Sequence, residues 1–241
     1  LVIAPNIKVN NFKLTLGSGG KGGEAETKKD CDPGIAKGGD GGEPSNFKMI
    51  AGQNFTITGN FIITPGKGGS GGPAKAYGKD GKAKEDGGDA DATGGDGGKN
   101  NKALTISGTV NGTQFIQFRS AIGGNGGEAT SLGGKGGDGI TCKEKGGNGG
   151  KATATGGKGG LAKLTVSGLA QRSLDAEDIG GNGGNASSKG GTGGNGGNCD
   201  PKGPGGNGGN GGDATSKPGK GGTAKDKNGD ENLLRSVFYS G

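Results

Sequence analysis

Hydrophobic positions in this chain are confined to a few short runs. Within IKVNNFKLTL (7–16), NFTITGNFIIT (54–64), KALTISGTVNGTQFIQF (102–118) and LAKLTVSGLA (161–170), apolar and polar residues alternate and β-branched side chains recur. That two-residue period predicts β-strands, spaced at roughly 40 to 60 residues. Each run carries a related signature: Leu14-Thr-Leu-Gly17, Thr56-Ile-Thr-Gly59, Thr105-Ile-Ser-Gly108 and Thr165-Val-Ser-Gly168. Between the runs the period changes from two to three. GGKGG (19–23), GGDGG (94–98), GGNGG (123–127) and GGNGGNGG (205–212) place two glycines and one polar residue in every triplet. Pairs of such runs flank small Ala-Thr or Ala-Ser elements, as in GGNGGKATATGGKGG (146–160), which read as connectors that reverse the chain.

A period of three matches an extended left-handed helix with three residues per turn and no internal hydrogen bonds. In GG-x two faces of such a helix are bare and the third carries every side chain. Bare faces let neighbouring backbones come within hydrogen-bonding distance. The fold expected is therefore a bundle or sandwich of short polyglycine II helices, with a few short β-strands and almost no α-helix. Its rival is a parallel β-solenoid, with the Thr-Ile-Ser-Gly strands in one ladder and the glycine runs as loops. Three segments are expected: an apolar strand segment (1–16), a glycine-rich repeat domain (17–230) and an apolar C-terminal segment (231–241).

The glycine runs resemble those of polyglycine-II sandwich proteins, among them phage tail-fibre adhesins, springtail antifreeze proteins and mycobacterial glycine-rich repeat proteins. The resemblance is one of architecture and covers roughly residues 17–225. It implies stacked glycine-run helices and points to no individual site residue.

Composition narrows the function. Glycine accounts for 67 of 241 residues, hydrophobic residues for 25% and aromatics for 4%, which is too little apolar area for a conventional core. The net charge of +6 comes from 29 basic and 23 acidic side chains that are interleaved, without the basic patch and stacking aromatics of a nucleic-acid interface. No apolar run approaches the length of a membrane span. The chain starts at Leu1, which a removed secretory leader would account for. With no His, no nucleophile elbow and carboxylate pairs (Glu85/Asp86, Asp175/Asp178) in polar stretches, neither catalysis nor a cofactor is expected.

GGKGGDGIT (133–141) fits a calcium nonapeptide, with Asp138 as ligand and Ile140 as the buried residue. That motif needs tandem copies, so no metal site is expected. Asn54, Asn111 and Asn185 head glycosylation triplets. Cys31, Cys142 and Cys199 are disulfide candidates, and the odd thiol could bond a partner chain.

Both ends of the chain are apolar. Val2, Ile3, Ile7, Val9, Phe12 and Leu14 at one end, and Leu233, Leu234, Val237, Phe238 and Tyr239 at the other, are candidate subunit contacts. The leading functional expectation is an extracellular structural protein whose copies polymerise into a surface filament or matrix by exchanging a terminal strand. The alternative is a phage tail-fibre adhesin at the virion surface that binds a cell-surface receptor through its longer turns, such as 74–86. Ice binding by threonine rows (Thr56, Thr58 and Thr64; Thr153 and Thr155) is third.

Overall fold

The computed structural model describes residues 2–45, 49–111, 116–119, 121–167, 173–174, 178–198 and 206–223. The chain winds four times through the same four stations. The first coil holds β1 (Val2–Val9), β2 (Phe12–Thr15), β3 (Ala25–Glu26) and β4 (Gly34–Lys37). The second holds β5 (Met49–Ile57), β6 (Phe61–Thr64), β7 (Ala74–Tyr77) and β8 (Ala90–Thr93). The third holds β9 (Asn100–Asn111), β10 (Ile116–Phe118), β11 (Ala129–Leu132) and β12 (Ala152–Thr155). The fourth holds β13 (Ala162–Ser167), β14 (Ser173–Leu174), β15 (Ala186–Lys189) and β16 (Ala214–Lys217).

Corresponding strands stack into four parallel four-stranded sheets, β1-β5-β9-β13, β2-β6-β10-β14, β3-β7-β11-β15 and β4-β8-β12-β16. The expected polyglycine II bundle with a few short strands is thereby overturned: sixteen strands in parallel sheets organise the chain, and no helix occurs among the described residues. The parallel coiling is compatible with the solenoid alternative, and Thr56, Thr105 and Thr165 do fall in one sheet, in β5, β9 and β13.

The Ala-Thr elements are not reversing turns. β7, β8, β11 and β12 are straight strands whose alanines point inward and whose alternate residues point out. A methyl group on alternate positions satisfies the two-residue pleat and lets two sheets approach closely. Ala36, Ala74, Ala76, Ala90, Ala92, Ala129 and Ala154 form one buried cluster between the third and fourth sheets. Ile7, Ile57, Phe61 and Ile63 in the first two sheets are buried as well, and Phe12 is stacked on Phe61 at 5.0 Å between ring centroids. The chain reverses instead in the tip segments at 28–33, 82–86 and 140–145, which lie farther out in each successive coil.

Glycine runs are not loops. They lie in line between strands and carry the stacking onward with a three-residue period. One run per coil joins the second sheet to the third, as at 66–72, and another joins the fourth sheet to the first, as at 94–98. The first glycine of each pair donates its N–H to the x carbonyl one coil up, as in Gly71 to Asn125 at 2.8 Å and Gly126 to Asn182 at 2.8 Å. The second donates sideways to the neighbouring antiparallel run, as in Gly69 to Gly42 (2.9 Å) and Gly72 to Gly39 (2.8 Å). Space is what demands glycine here. None of the described glycines in these runs has a φ between +20° and +160°, yet a Cβ on Gly124 would lie 1.9 Å from the Gly69 carbonyl oxygen.

Candidate functional site

The outward faces follow from the triplet. Residue x of each GG-x projects from the glycine layers, so x residues of successive coils form columns about 4.8 Å apart. These columns are bonded to one another. Asp40 Oδ1 accepts the Asp96 N–H at 2.9 Å, and Asp96 Oδ1 accepts the Lys158 N–H at 2.8 Å. Asp86 Oδ1 accepts from the Asn148 N–H (2.6 Å), and Asn148 Oδ1 from the Asn210 N–H (3.1 Å). The same rung joins Asp80 to Lys135, Asp89 to Lys151, Asn125 to Asn182 and Asp138 to Asn195. In each case the next residue in the lower coil donates its own N–H back to that upper residue's carbonyl, as Gly87 does to Asn148 and Gly97 to Lys158. A one-carbon side chain ending in an acceptor is what this reach needs. Sequence reasoning gave these residues no such partners: it placed Asp86 in a polar stretch and weighed Asp138 only as the ligand of a calcium motif. The signal was present: Asp or Asn directly before a glycine recurs at fixed offsets, 62 residues for Asp86/Asn148 and Asn148/Asn210.

Asn100 is a second polar group that the sequence reading missed. It is fully buried, and its Nδ2 donates to the Gly66 carbonyl (2.7 Å) and the Ile122 carbonyl (3.2 Å), while Oδ1 has no partner.

Among the tips, that of the third coil is the most tightly bonded. Glu144 pairs with Lys84 and accepts the N–H groups of Ile140 and Thr141 at 3.1 and 2.8 Å. The Lys84 ammonium, followed by the Thr141 hydroxyl and N–H, holds the Glu144 carboxyl down at about 2. Cys142 in this tip is disulfide-bonded, Cys31 in the first tip is free and exposed, and Cys199 lies outside the described residues. Asp138 is occupied by the Asn195 N–H, and Ile140, which the calcium motif would bury, is 69% exposed. A shallow recess of about 220 Å³ lies beside the second tip, with Tyr77, Leu132, Lys135 and Lys189 in its walls.

The other candidate residues are dispersed. Glu85 and Asp86 accept backbone N–H groups of Lys82 and Asn148, and Asp178 accepts that of Ala121; Asp175 lies outside the described residues. Val2, Ile3, Ile7 and Val9 belong to β1, and Phe12 and Leu14 to β2, both already bonded to the second coil as edge strands. Leu233, Leu234, Val237, Phe238 and Tyr239 lie outside the described residues. No helix among the described residues is long and apolar enough to cross a membrane.

The two ends of the stack are its most distinctive surfaces. At the first coil a Cβ on Gly20 or Gly23 would meet nothing within 4 Å, and at the fourth a Cβ on Gly221 would come no nearer than 3.9 Å to the Gly181 oxygen. Among the described residues, the N–H groups of Gly20, Gly23, Gly180, Gly183 and Gly221 donate to no backbone carbonyl.

No protein-family model and no curated protein matches the sequence. Among solved structures, the chain is similar to the nine polyproline type II helical bundle springtail antifreeze protein from Granisotoma rainieri, whose crystal waters match the ice lattice. The match has 22% identity over 86% of this chain and 94% of that one, with a TM-score of 0.16.

Proposed function

We infer that this chain is an extracellular structural protein whose copies assemble into a surface filament or matrix. One observation carries the reading: the fold is a ladder of equivalent layers whose two end layers, among the described residues, leave backbone donors unmatched. Such edges template further pairing unless they are blunted. The side faces carry mixed, solvated charge, which favours growth along the stack over lateral clumping. The disulfide at Cys142 supports an oxidising compartment.

The other readings have less behind them. In the fourth sheet Thr153 abuts Thr215, and Thr93 abuts Thr155, but Asp91, Lys37 and Lys217 interrupt the hydroxyl array that ice binding would use. The tips available to a receptor offer Ile140 as an exposed apolar anchor amid Lys, Asp and Glu.

Sedimentation velocity and negative-stain electron microscopy of the full chain over a concentration series test the reading. Elongated polymers that lengthen with concentration are expected. A monomer at every concentration would overturn it.

A further inference from the structure

We propose that the fourth coil of one molecule stacks directly on the first coil of the next, continuing the ladder in register. This rests on the filament reading and specifies its contact: end faces meet end to end, and no terminal strand is exchanged.

Register carries the argument. Between coils within the molecule, the second glycines of the 66–72 run donate to the run below it in the neighbouring stack, Gly69 to Gly42 and Gly72 to Gly39. At the next step Gly124 and Gly127 donate in the same way to Gly98 and Gly95, and at the one after it Gly181 and Gly184 donate to Gly160 and Gly157. One step beyond the fourth coil, the equivalent carbonyls are those of Gly222 and Gly219, which accept no backbone N–H among the described residues. The equivalent donors at the other end of the molecule are Gly20 and Gly23, which have no backbone acceptor among the described residues. Their spacing matches, since both pairs are three residues apart along antiparallel runs.

The vertical rungs match as well. Gly19 donates to Lys67, Gly68 to Ile122 and Gly123 to Ile179, so Gly180 would donate to the Ser18 carbonyl of the next copy. By the same succession Gly183 would donate to Lys21 and Gly221 to Asp40 of that copy. Asn182 Oδ1 would accept the Lys21 N–H of that copy, as Asn125 Oδ1 accepts the Asn182 N–H within the molecule. Pro218 occupies the place held by Gly38, Gly94 and Gly156 in the earlier coils, so that one rung is forgone. All four sheets are parallel, so β13 to β16 present edges of the right polarity to β1 to β4 of the next copy. Such a head-to-tail contact is heterologous and builds an open fibre.

Glycine substitutions separate this contact from simple loss of folding. A Cβ on Gly20 or Gly23 is free in the single molecule. In the stack it would sit where a Cβ on Gly69 or Gly72 sits now, 2.0 and 1.9 Å from the carbonyl oxygen one coil below. The double variant G20A/G23A and the single variant G221A should each keep wild-type melting and lose the polymer in sedimentation velocity. Gly208 is similarly open, with its nearest atom at 3.4 Å, but lies beyond the reach of the shorter first coil. G208A should therefore polymerise as wild type does.

If the wild-type chain polymerises and G20A/G23A and G221A do so equally well, the stacking is wrong while the filament reading survives. If the wild type never polymerises, both fall. Hydrogen exchange on the wild-type chain gives an answer that does not depend on a variant folding. Amides of Gly20 and Gly23 should exchange at least roughly tenfold more slowly in the polymer than in dilute monomer. Protection already present in the dilute monomer means that another segment covers the end, and overturns the proposal.

Discussion

Gly157 offers the sharpest test of why this chain needs glycine. It lies in the third coil, where its N–H donates to Gly127 at 2.9 Å and its carbonyl accepts from Gly184 at 2.7 Å. A Cβ there would stand 1.9 Å from the Gly95 oxygen, 2.6 Å from its carbon and 2.9 Å from the Gly127 nitrogen. These are backbone atoms held in two ladders, so no side-chain rotation relieves the clash. Parting the layers breaks at least the two bonds of Gly157, each contributing about 1 kcal/mol net, and strands their partners at about 1–3 kcal/mol apiece. Gly157→Ala should therefore cost about 4–8 kcal/mol, a large share of a typical domain's stability. Gly20→Ala is the matched control. With nothing within 4 Å and no left-handed φ, it should be neutral or gain up to about 1 kcal/mol from the less flexible unfolded chain. Urea unfolding of dilute monomer, followed by circular dichroism, measures both. A loss below about 1 kcal/mol for Gly157→Ala, or equal losses for the two variants, would refute the close-packing argument.

Four further outcomes are expected. Asp96→Asn keeps an acceptor for the Lys158 N–H and should leave urea stability unchanged, whereas Asp96→Ala should lose about 1 kcal/mol. Asn100→Ala removes both carbonyl contacts of a buried amide and should cost about 2–4 kcal/mol in the same assay; a neutral result would show that the amide bonds add nothing. The Glu144 carboxyl, lowered from 4.5 to about 2, favours the folded tip above pH 4.5, and that contribution is lost as pH falls through about 2. Carbon-detected NMR titration should find this low value, and Lys84→Ala should move it up toward 4.5; an unchanged titration in the variant would dismiss Lys84 as the cause. A maleimide probe on native protein should label Cys31 and spare Cys142 until reductant is added, read by peptide mass spectrometry.

Much of the strand content was legible because alternation is a local property. The runs at 7–16, 54–64, 102–118 and 161–170 overlap β1 and β2, β5 and β6, β9 and β10, and β13. The Ala-Thr elements were misread, because a four-residue segment between glycine runs carries too few positions to distinguish a turn from a strand. What makes β7 or β12 a strand is the in-register neighbour in the adjacent coils, Ala74 beside Ala129 and Ala152 beside Ala90. The Asp and Asn rungs were hidden for a similar reason. Asp86 reads as a surface charge until Asn148 is placed directly above it.

By itself the sequence determined the two periods, the bare glycine flanks, the scarcity of apolar area and the polarity of x, because each depends only on residue type and spacing. The tertiary structure decided that both periods run through one set of parallel layers, which residues face which across 48 to 62 positions, and where the ladder ends. Those are properties of long-range stacking. The vertical rungs between coils are satisfied only after the chain has come full circle, as from Gly71 to Asn125, and no single stretch of sequence encodes its partner.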